Sequence, residues 1–223
     1  MIAVDVVIPV RDVDRYLADA IDSLLAQSGT DVRVTVVDAG SARPVVLTDR
    51  HAGHPAVRLL RSDAPLRAGG ARNLGAAAGD RAWLAFLDGD DLAVGESLAL
   101  LGAAAASQGA DLAVGRMTSF PSGDDAAGLR IPPGEPVAYV PGGVLVARAA
   151  WDAVGPFDAE LRTGEFVDWI ARFRARGLRA VEVPEVVLRR RLHRDSTTAR
   201  QLAGGDRDDY LKVVRAWLTR TGS

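Results

Sequence analysis

The chain has 223 residues, a formal net charge of -2 and an apolar fraction of 48%. That length suits one large domain or two small ones, and the near-neutral charge excludes a bulk electrostatic pull toward nucleic acid or a membrane surface. With no cysteine and three histidines, His51, His54 and His193, a disulfide framework and a thiol nucleophile are excluded and a multi-histidine zinc site is a poor expectation.

The opening Met1-Ile2-Ala3-Val4-Asp5 has no basic segment ahead of an apolar core, so no signal peptide is expected. No apolar run approaches the ~20 residues of a membrane helix. Together with the missing cysteines, this predicts a cytoplasmic protein, with peripheral attachment to a membrane left open.

Val4 to Val10 reads as an apolar strand broken only by Asp5 and Pro9. Asp14 then precedes a helix whose Tyr16, Leu17, Ala20, Ile21, Leu24 and Leu25 recur at three- and four-residue spacing, with Gly29 closing it. Val32 to Val37 form a second strand running into Asp38-Ala39-Gly40-Ser41, and a short helix is expected near Pro44 to Arg50. Val57, Leu59 and Leu60 make a third strand, and Gly69 to Gly79 an alanine-rich helix. Trp83 to Leu87 is a buried-strand pattern, followed by a helix from about Val94 to Ser107.

Farther on, Asp111 to Arg116 reads as a strand and Pro121 to Pro136, with four prolines, as a loop. Val144 to Val146 is apolar, Ala149 to Val154 helical, and Gly155-Pro156-Phe157-Asp158 a turn. Gly164 to Arg176 has Phe166, Ile170 and Phe173 on one helical face. Leu178 to Val183 and Val186 to Arg190 read as two strands separated by Pro184, and Asp206 to Leu218 as an amphipathic helix. Apolar strands alternating with helices over the first half predict a largely parallel sheet covered on both faces.

The stretch with the most chemistry is Asp88-Gly89-Asp90-Asp91, directly after the Trp83–Leu87 strand. Carboxylates this close repel one another. A hard divalent cation, Mn²⁺ or Mg²⁺, would relieve that repulsion and also hold a substrate diphosphate. A helix cap or solvated turn is the plainer alternative, since Asp suits both. In such sheets ligands bind beyond the carboxyl ends of the strands, and Asp38, Arg72 and Asp88 to Asp91 all follow strand ends.

In order, Val6-Val7-Ile8-Pro9-Val10, Val36-Val37-Asp38-Ala39-Gly40-Ser41, Gly70-Ala71-Arg72-Asn73-Leu74-Gly75, Phe86-Leu87-Asp88-Gly89-Asp90-Asp91, Val154-Gly155-Pro156-Phe157-Asp158, Gly164-Glu165 and Arg191-Leu192-His193 resemble the family 2 glycosyltransferases. The resemblance implies a single α/β domain of the GT-A, Rossmann-like fold over 1–223. Residues 1–117 would form its nucleotide-sugar-binding half, 118–198 a smaller acceptor-side half, and 199–223 a C-terminal helix.

It also implies transfer of a sugar from a nucleotide-diphospho-sugar to a hydroxyl-bearing acceptor: a glycan, lipid-linked sugar, small molecule or peptide. Neither nucleic acid nor a membrane span is implied, and a homodimer is allowed. Donor binding is expected at Pro9, Val10, Asp38, Arg72, Asp88 and Gly89. Mn²⁺ or Mg²⁺ is expected at Asp90, Asp91 and His193, where the ion would neutralise charge on the departing nucleoside diphosphate.

Two departures from the family pattern stand out. A second aspartate that often contacts the nucleotide base is replaced by Ala39, which puts a uracil-type base in doubt. The aspartate often proposed as catalytic base is replaced by Phe166, which leaves Glu165 and Asp168, three apart on a helix. Either could take a proton from an acceptor hydroxyl, with Glu165 favoured as nearer the helix start. The alternative is a GT-A-like module that binds a nucleotide or glycan with weakened chemistry. A sugar-nucleotide-forming enzyme or a dinucleotide oxidoreductase fits less well, because Val10-Arg11-Asp12-Val13-Asp14 after the first strand holds no glycine.

Overall fold

The computed structural model describes residues 1–12, 15–123, 131 and 133–193. Its first half runs β1 (Ile2–Val10), α1 (Leu17–Leu25), β2 (Thr30–Asp38), α2 (Asp49–Ala52), β3 (Val57–Arg61), α3 (Ala68–Ala77) and β4 (Trp83–Phe86). Then come β5 (Leu92–Ala93), α4 (Ser97–Gln108), β6 (Leu112–Pro121), β7 (Val144–Ala147), α5 (Arg148–Val154), α6 (Glu165–Ala175) and β8 (Ala180–Leu192). One eight-stranded sheet forms in the order β3-β2-β1-β4-β7-β6-β8-β5. The strands β3, β2, β1 and β4 are mutually parallel, and β6 and β8 are parallel to each other. The pairs β4–β7, β6–β7 and β5–β8 are antiparallel.

Strand alternation explains why both faces are covered. Val4, Val6, Ile8 and Val10 of β1 enter one apolar cluster with Leu17, Ile21 and Leu24 of α1 and Leu98 and Leu101 of α4. Val7, between them, enters the other, which holds Ala71 and Ala76 of α3 and the aromatics of α5 and α6. The chain winds outward from β1 through β2 to β3, then returns to place β4 on the other side of β1. The carboxyl ends of β1 and β4 therefore flank the point where the winding reverses, which is where open α/β sheets bind ligands.

α3 lies very close to that sheet. A Cβ built on Gly75 would overlap the Val7 side chain and come within 3.1 Å of Val37. In an isolated helix, alanine here would be the better residue by about 0.5–1 kcal/mol. In this packing Gly75→Ala is expected to destabilise by about 1–3 kcal/mol, read as a lower urea midpoint.

Four expectations are revised. The helix near 44–50 is confined to Asp49–Ala52, where buried His51 meets Thr48 Oγ1 at 2.9 Å and Asp22 Oδ1 at 2.8 Å, tying α2 to α1. The strand near 111–116 extends to Pro121. The two strands flanking Pro184 are one, β8. Its register against β6 shifts between the pairs Val114–Glu182 and Arg116–Val186, and Pro184, which has no N–H to donate, falls in that interruption. The short β5, absent from the sequence reading, pairs Leu92 with Arg189 and Ala93 with Leu188. The acidic turn is thus slung between β4 in the first half and β8 in the second. The helix expected over 206–218 lies outside the described residues. Among the described residues no helix is long and apolar enough to cross a membrane.

Candidate active site

β1 and β2 end in register, with Pro9 opposite Val37 and Val10 opposite Asp38. Asp38 is buried and accepts hydrogen bonds from Ser41 N (2.8 Å), Val45 N (3.1 Å) and the Arg61 guanidinium. Burial pushes its carboxyl up, but these donors outweigh burial and hold it below the ordinary carboxylate range. The side chain thereby orders the loop that follows β2. Ala39 is buried in the apolar cluster; its N–H goes to Val10 O at 2.8 Å and its carbonyl accepts from Leu66 N at 2.9 Å. Position 39 accordingly offers no free polar group.

The acidic turn folds back on itself through Asp91 N to Asp88 O at 3.0 Å. Gly89 lies against the end of β1: a Cβ there would be 3.3 Å from Val10 Cγ2 and 3.7 Å from the Pro9 carbonyl oxygen. Pro9, Val10 and Gly89 are therefore neighbours. The three carboxylates differ sharply. Asp91 is 5% exposed and accepts the Arg191 backbone N–H at 2.9 Å. Burial, then the charges of Asp90 and Asp88, push its pKa well above the ordinary value. The side chains of Asp88 and Asp90 remain 40% and 27% exposed. Asp90 Oδ2 lies 2.8 Å from Nε2 of the buried His193, whose Nδ1 has no partner among the described residues.

Arg72 joins this turn to the second half of the chain. Its side chain is buried midway along α3, donating from Nη2 to Asp88 Oδ1 at 2.6 Å and from Nη1 to Glu165 Oε1 at 2.5 Å. Burial disfavours its charge, but the two carboxylates outweigh burial and raise its pKa above the usual arginine value. Beside it, Asn73 exchanges a pair of 2.9 Å hydrogen bonds with the Phe157 backbone. α3 is thus fastened to the turn that precedes α6.

Gly164, at φ 85°, turns the chain into α6 so that Glu165 is its first helical residue, where a negative charge is favoured by the helix dipole. Asp168 goes elsewhere: it pairs with Arg172 Nε at 2.8 Å, one turn along. Arg172 in turn donates to the carbonyls of Val154 (2.9 Å) and Pro156 (2.8 Å). Phe166 is buried with Phe157 and Trp169 in the aromatic cluster.

The fold therefore brings Arg72, Asp88 and Glu165 into one chain of contacts, and Asp90 and His193 into another, through adjacent residues of one turn. Asp38 is spent on its own loop and Asp168 on Arg172. One contributor went unremarked in the sequence, Arg61 holding Asp38, while Arg191, noted there as part of the Arg191-Leu192-His193 motif, lies behind Asp91. Arg61 ends β3 directly opposite Asp38 of β2, a pairing that becomes visible only once the strands are in register.

The sequence matches the profile described as Glycosyl transferase family 2 over residues 5–157. The chain belongs to that family. It is 40% identical over 95 residues to the succinoglycan biosynthesis protein ExoO of Rhizobium meliloti (strain 1021), a match over 43% of this chain and 27% of that protein.

The GT-A architecture also has solved counterparts. The S. aureus TarS 1-349 structure in complex with UDP-GlcNAc superposes with a TM-score of 0.78 at 16% identity, over 96% of this chain and 65% of that one. The TarS 1-349 complex with UDP gives 0.74 at 16% identity, over 96% and 64%. At that identity the likeness is one of fold. The chain spans less than two thirds of the length of each of these relatives.

Proposed function

We propose that this family 2 member transfers a sugar from a nucleotide-diphospho-sugar to a hydroxyl-bearing acceptor, with Mn²⁺ or Mg²⁺ at the acidic turn. The observation that carries the reading is Arg72 bridging Asp88 to Glu165. It sets a candidate proton acceptor one guanidinium away from a turn that presents two carboxylates.

The donor set is compatible with such an ion. Asp88 and Asp90 supply hard, partly exposed oxygens; Asp91 is raised first by burial and then by the charges of Asp90 and Asp88, and a nearby cation would offset the charge repulsion. Among the described residues no three His, Asp or Glu side chains form a ready-made ligand set. Mg²⁺ and Mn²⁺ sites of this kind commonly use one or two carboxylates and complete the shell with water and substrate phosphates. In this reading Asp90 would be the direct ligand, His193, hydrogen-bonded to it, would be the nearest imidazole to the ion, and buried Asp91 would add negative charge from behind. The ion would supply charge neutralisation for the departing nucleoside diphosphate.

The chain's own residues do the rest. Arg72 holds Asp88 toward the donor and takes one oxygen of Glu165; the other oxygen is left to accept the proton of the acceptor hydroxyl. Pro9, Val10 and Gly89 form the floor against which the nucleotide lies, and Asp38 shapes the loop beside it. Because TarS was solved with UDP-GlcNAc and UDP, uridine donors come first in any panel. Others must follow, given Ala39.

The test is release of nucleoside diphosphate from a panel of nucleotide sugars with Mn²⁺. Asp90→Ala is expected to lower turnover by about 100-fold or more, since even groups that only orient metal ligands are worth about 10- to 100-fold. No turnover of any donor, together with an Asp90→Ala protein indistinguishable from wild type, would sink the reading. A second reading, a binding module with weakened chemistry, is favoured by one observation: of the first-turn residues of α6, Phe166 is in the core, Asp168 is paired with Arg172, and Glu165 is already held by Arg72. Calorimetry showing metal-dependent nucleotide binding without hydrolysis or transfer would select it.

A further inference from the structure

Arg191, at the end of β8, is the residue on which three other segments close. Its backbone N–H donates to Asp91 Oδ1 at 2.9 Å and its Nε to the Asp90 carbonyl at 2.9 Å, so two of its donors fix consecutive residues of the acidic turn. Its guanidinium lies over two rings, 4.3 Å from the centroid of Tyr16 beside α1 and 4.8 Å from that of Phe120 on β6. Tyr16 also contacts the His193 ring at 5.3 Å and hydrogen-bonds through its hydroxyl to Ser122. A further donor, Nη2, reaches Asp19 at 3.0 Å.

These contacts decide what Arg191 is for. Its side chain is only 11% exposed, and its located hydrogen bonds run to the turn and to α1, so it is aimed at protein rather than at a ligand. The Asp19 carboxylate is 58% exposed, and an ion pair that open to solvent contributes little. What holds the guanidinium is its contact with the two rings, and what the guanidinium holds is the Asp90 carbonyl. A planar, delocalised cation can lie against aromatic rings while donating from its edge in a fixed direction, which an ammonium cannot do.

We propose that Arg191 is a positioning residue of the acidic turn. Held against Tyr16 and Phe120, it fixes the Asp90 backbone so that Asp91 stays inward while Asp88 and Asp90 are presented outward. The proposal rests on the reading in which that turn binds the donor diphosphate with a divalent ion.

The test uses the whole chain as wild type, Arg191→Lys and Arg191→Met, and leaves the Arg191 backbone N–H in place throughout. Mn²⁺ binding is measured from the free-ion electron paramagnetic resonance signal, with UDP, GDP, CDP or dTDP present in turn. Circular dichroism establishes the temperature at which each variant is fully folded, and binding is measured there. Both variants are expected to bind the Mn²⁺–nucleotide pair about 10- to 100-fold more weakly than wild type, with lysine giving no rescue. A purely structural arginine would lower the melting temperature and leave the affinity of the folded protein unchanged; that result overturns the proposal. Should Arg191→Met fail to fold, Arg191→Lys, which keeps the charge and most of the stem, decides the matter on the same criterion. A wild-type chain that binds Mn²⁺ with none of the four nucleotides refutes the underlying reading of the turn, and the proposal with it.

Discussion

Arg72→Met is expected to lower the stability of the chain by about 3 kcal/mol, and adding Glu165→Gln to it is expected to recover part of that loss. Arg72 is buried between two carboxylates that lie in different halves of the chain. Methionine fills similar space but leaves Glu165 ionised, largely buried and without its cation, and removing one partner of a buried pair is costly because of the charge left behind. Asp88 contributes less to the loss, since its side chain is 40% exposed and water can screen it. Replacing Glu165 by glutamine in the same protein removes the stranded charge, which is why the double variant should be the more stable of the two. Urea titration with a common slope measures both differences. An Arg72→Met change within about 0.5 kcal/mol of wild type, the range of ordinary surface substitutions, would show that the clamp is not the buried pair described. Arg72→Lys is not expected to substitute for arginine, because one ammonium cannot reach both carboxylates in the fork geometry.

The distance between what could and could not be read from the sequence follows from the physics of each feature. β1, β2 and β4 were legible because strands buried on both faces are nearly continuous apolar runs, and α1 because its apolar residues repeat at helical spacing. β5 was not, because two residues carry no periodicity. β8 was split at Pro184 because the sequence cannot show that the partner strand slips register at that point. The acidic turn was legible from three carboxylates following a buried strand. Its internal division was not, since Asp91 is turned inward by a backbone N–H that lies 100 positions away. Glu165 and Asp168 looked equivalent at three-residue spacing. Arg172, four residues beyond Asp168, was the visible competitor that a helical i,i+4 pairing should have suggested. The partner of Glu165 is 93 positions distant, and no local rule reaches that far.

Asp5→Asn is expected to destabilise the chain at neutral pH by about 3–5 kcal/mol and to flatten its loss of stability in acid. Asp5 looked like a flaw in an otherwise apolar strand, yet it is buried and its carboxylate accepts Arg33 Nε at 2.8 Å, Arg81 N at 2.8 Å and Arg148 Nη2 at 2.9 Å. One side chain on β1 thereby ties β2, the approach to β4 and the start of α5. Burial alone would raise its pKa. The Arg33 hydrogen bond, the Arg81 N–H and the charges of Arg33 and Arg148 outweigh burial and bring it below the ordinary value. The sign follows from linkage: a carboxyl whose folded pKa is depressed stabilises the fold in full above its unfolded pKa of about 3.9, and the contribution is lost as pH falls through the lower folded value. Asp38 acts with the same sign. Asp91, pushed the other way, costs stability when ionised and partly offsets both as it takes up a proton. Wild type should therefore lose more stability than Asp5→Asn when urea midpoints are compared between neutral pH and pH below about 4. Parallel pH profiles for the two proteins would rule out a depressed Asp5. Because Asp5 lies toward the amino end of β1 while Pro9, Val10 and the acidic turn lie at its carboxyl end, nucleotide affinity per folded molecule at neutral pH should match that of wild type. A large fall in that affinity would mean that the Asp5 cluster also shapes the site, and the separation between what stabilises this sheet and what its carboxyl edge binds would have to be abandoned.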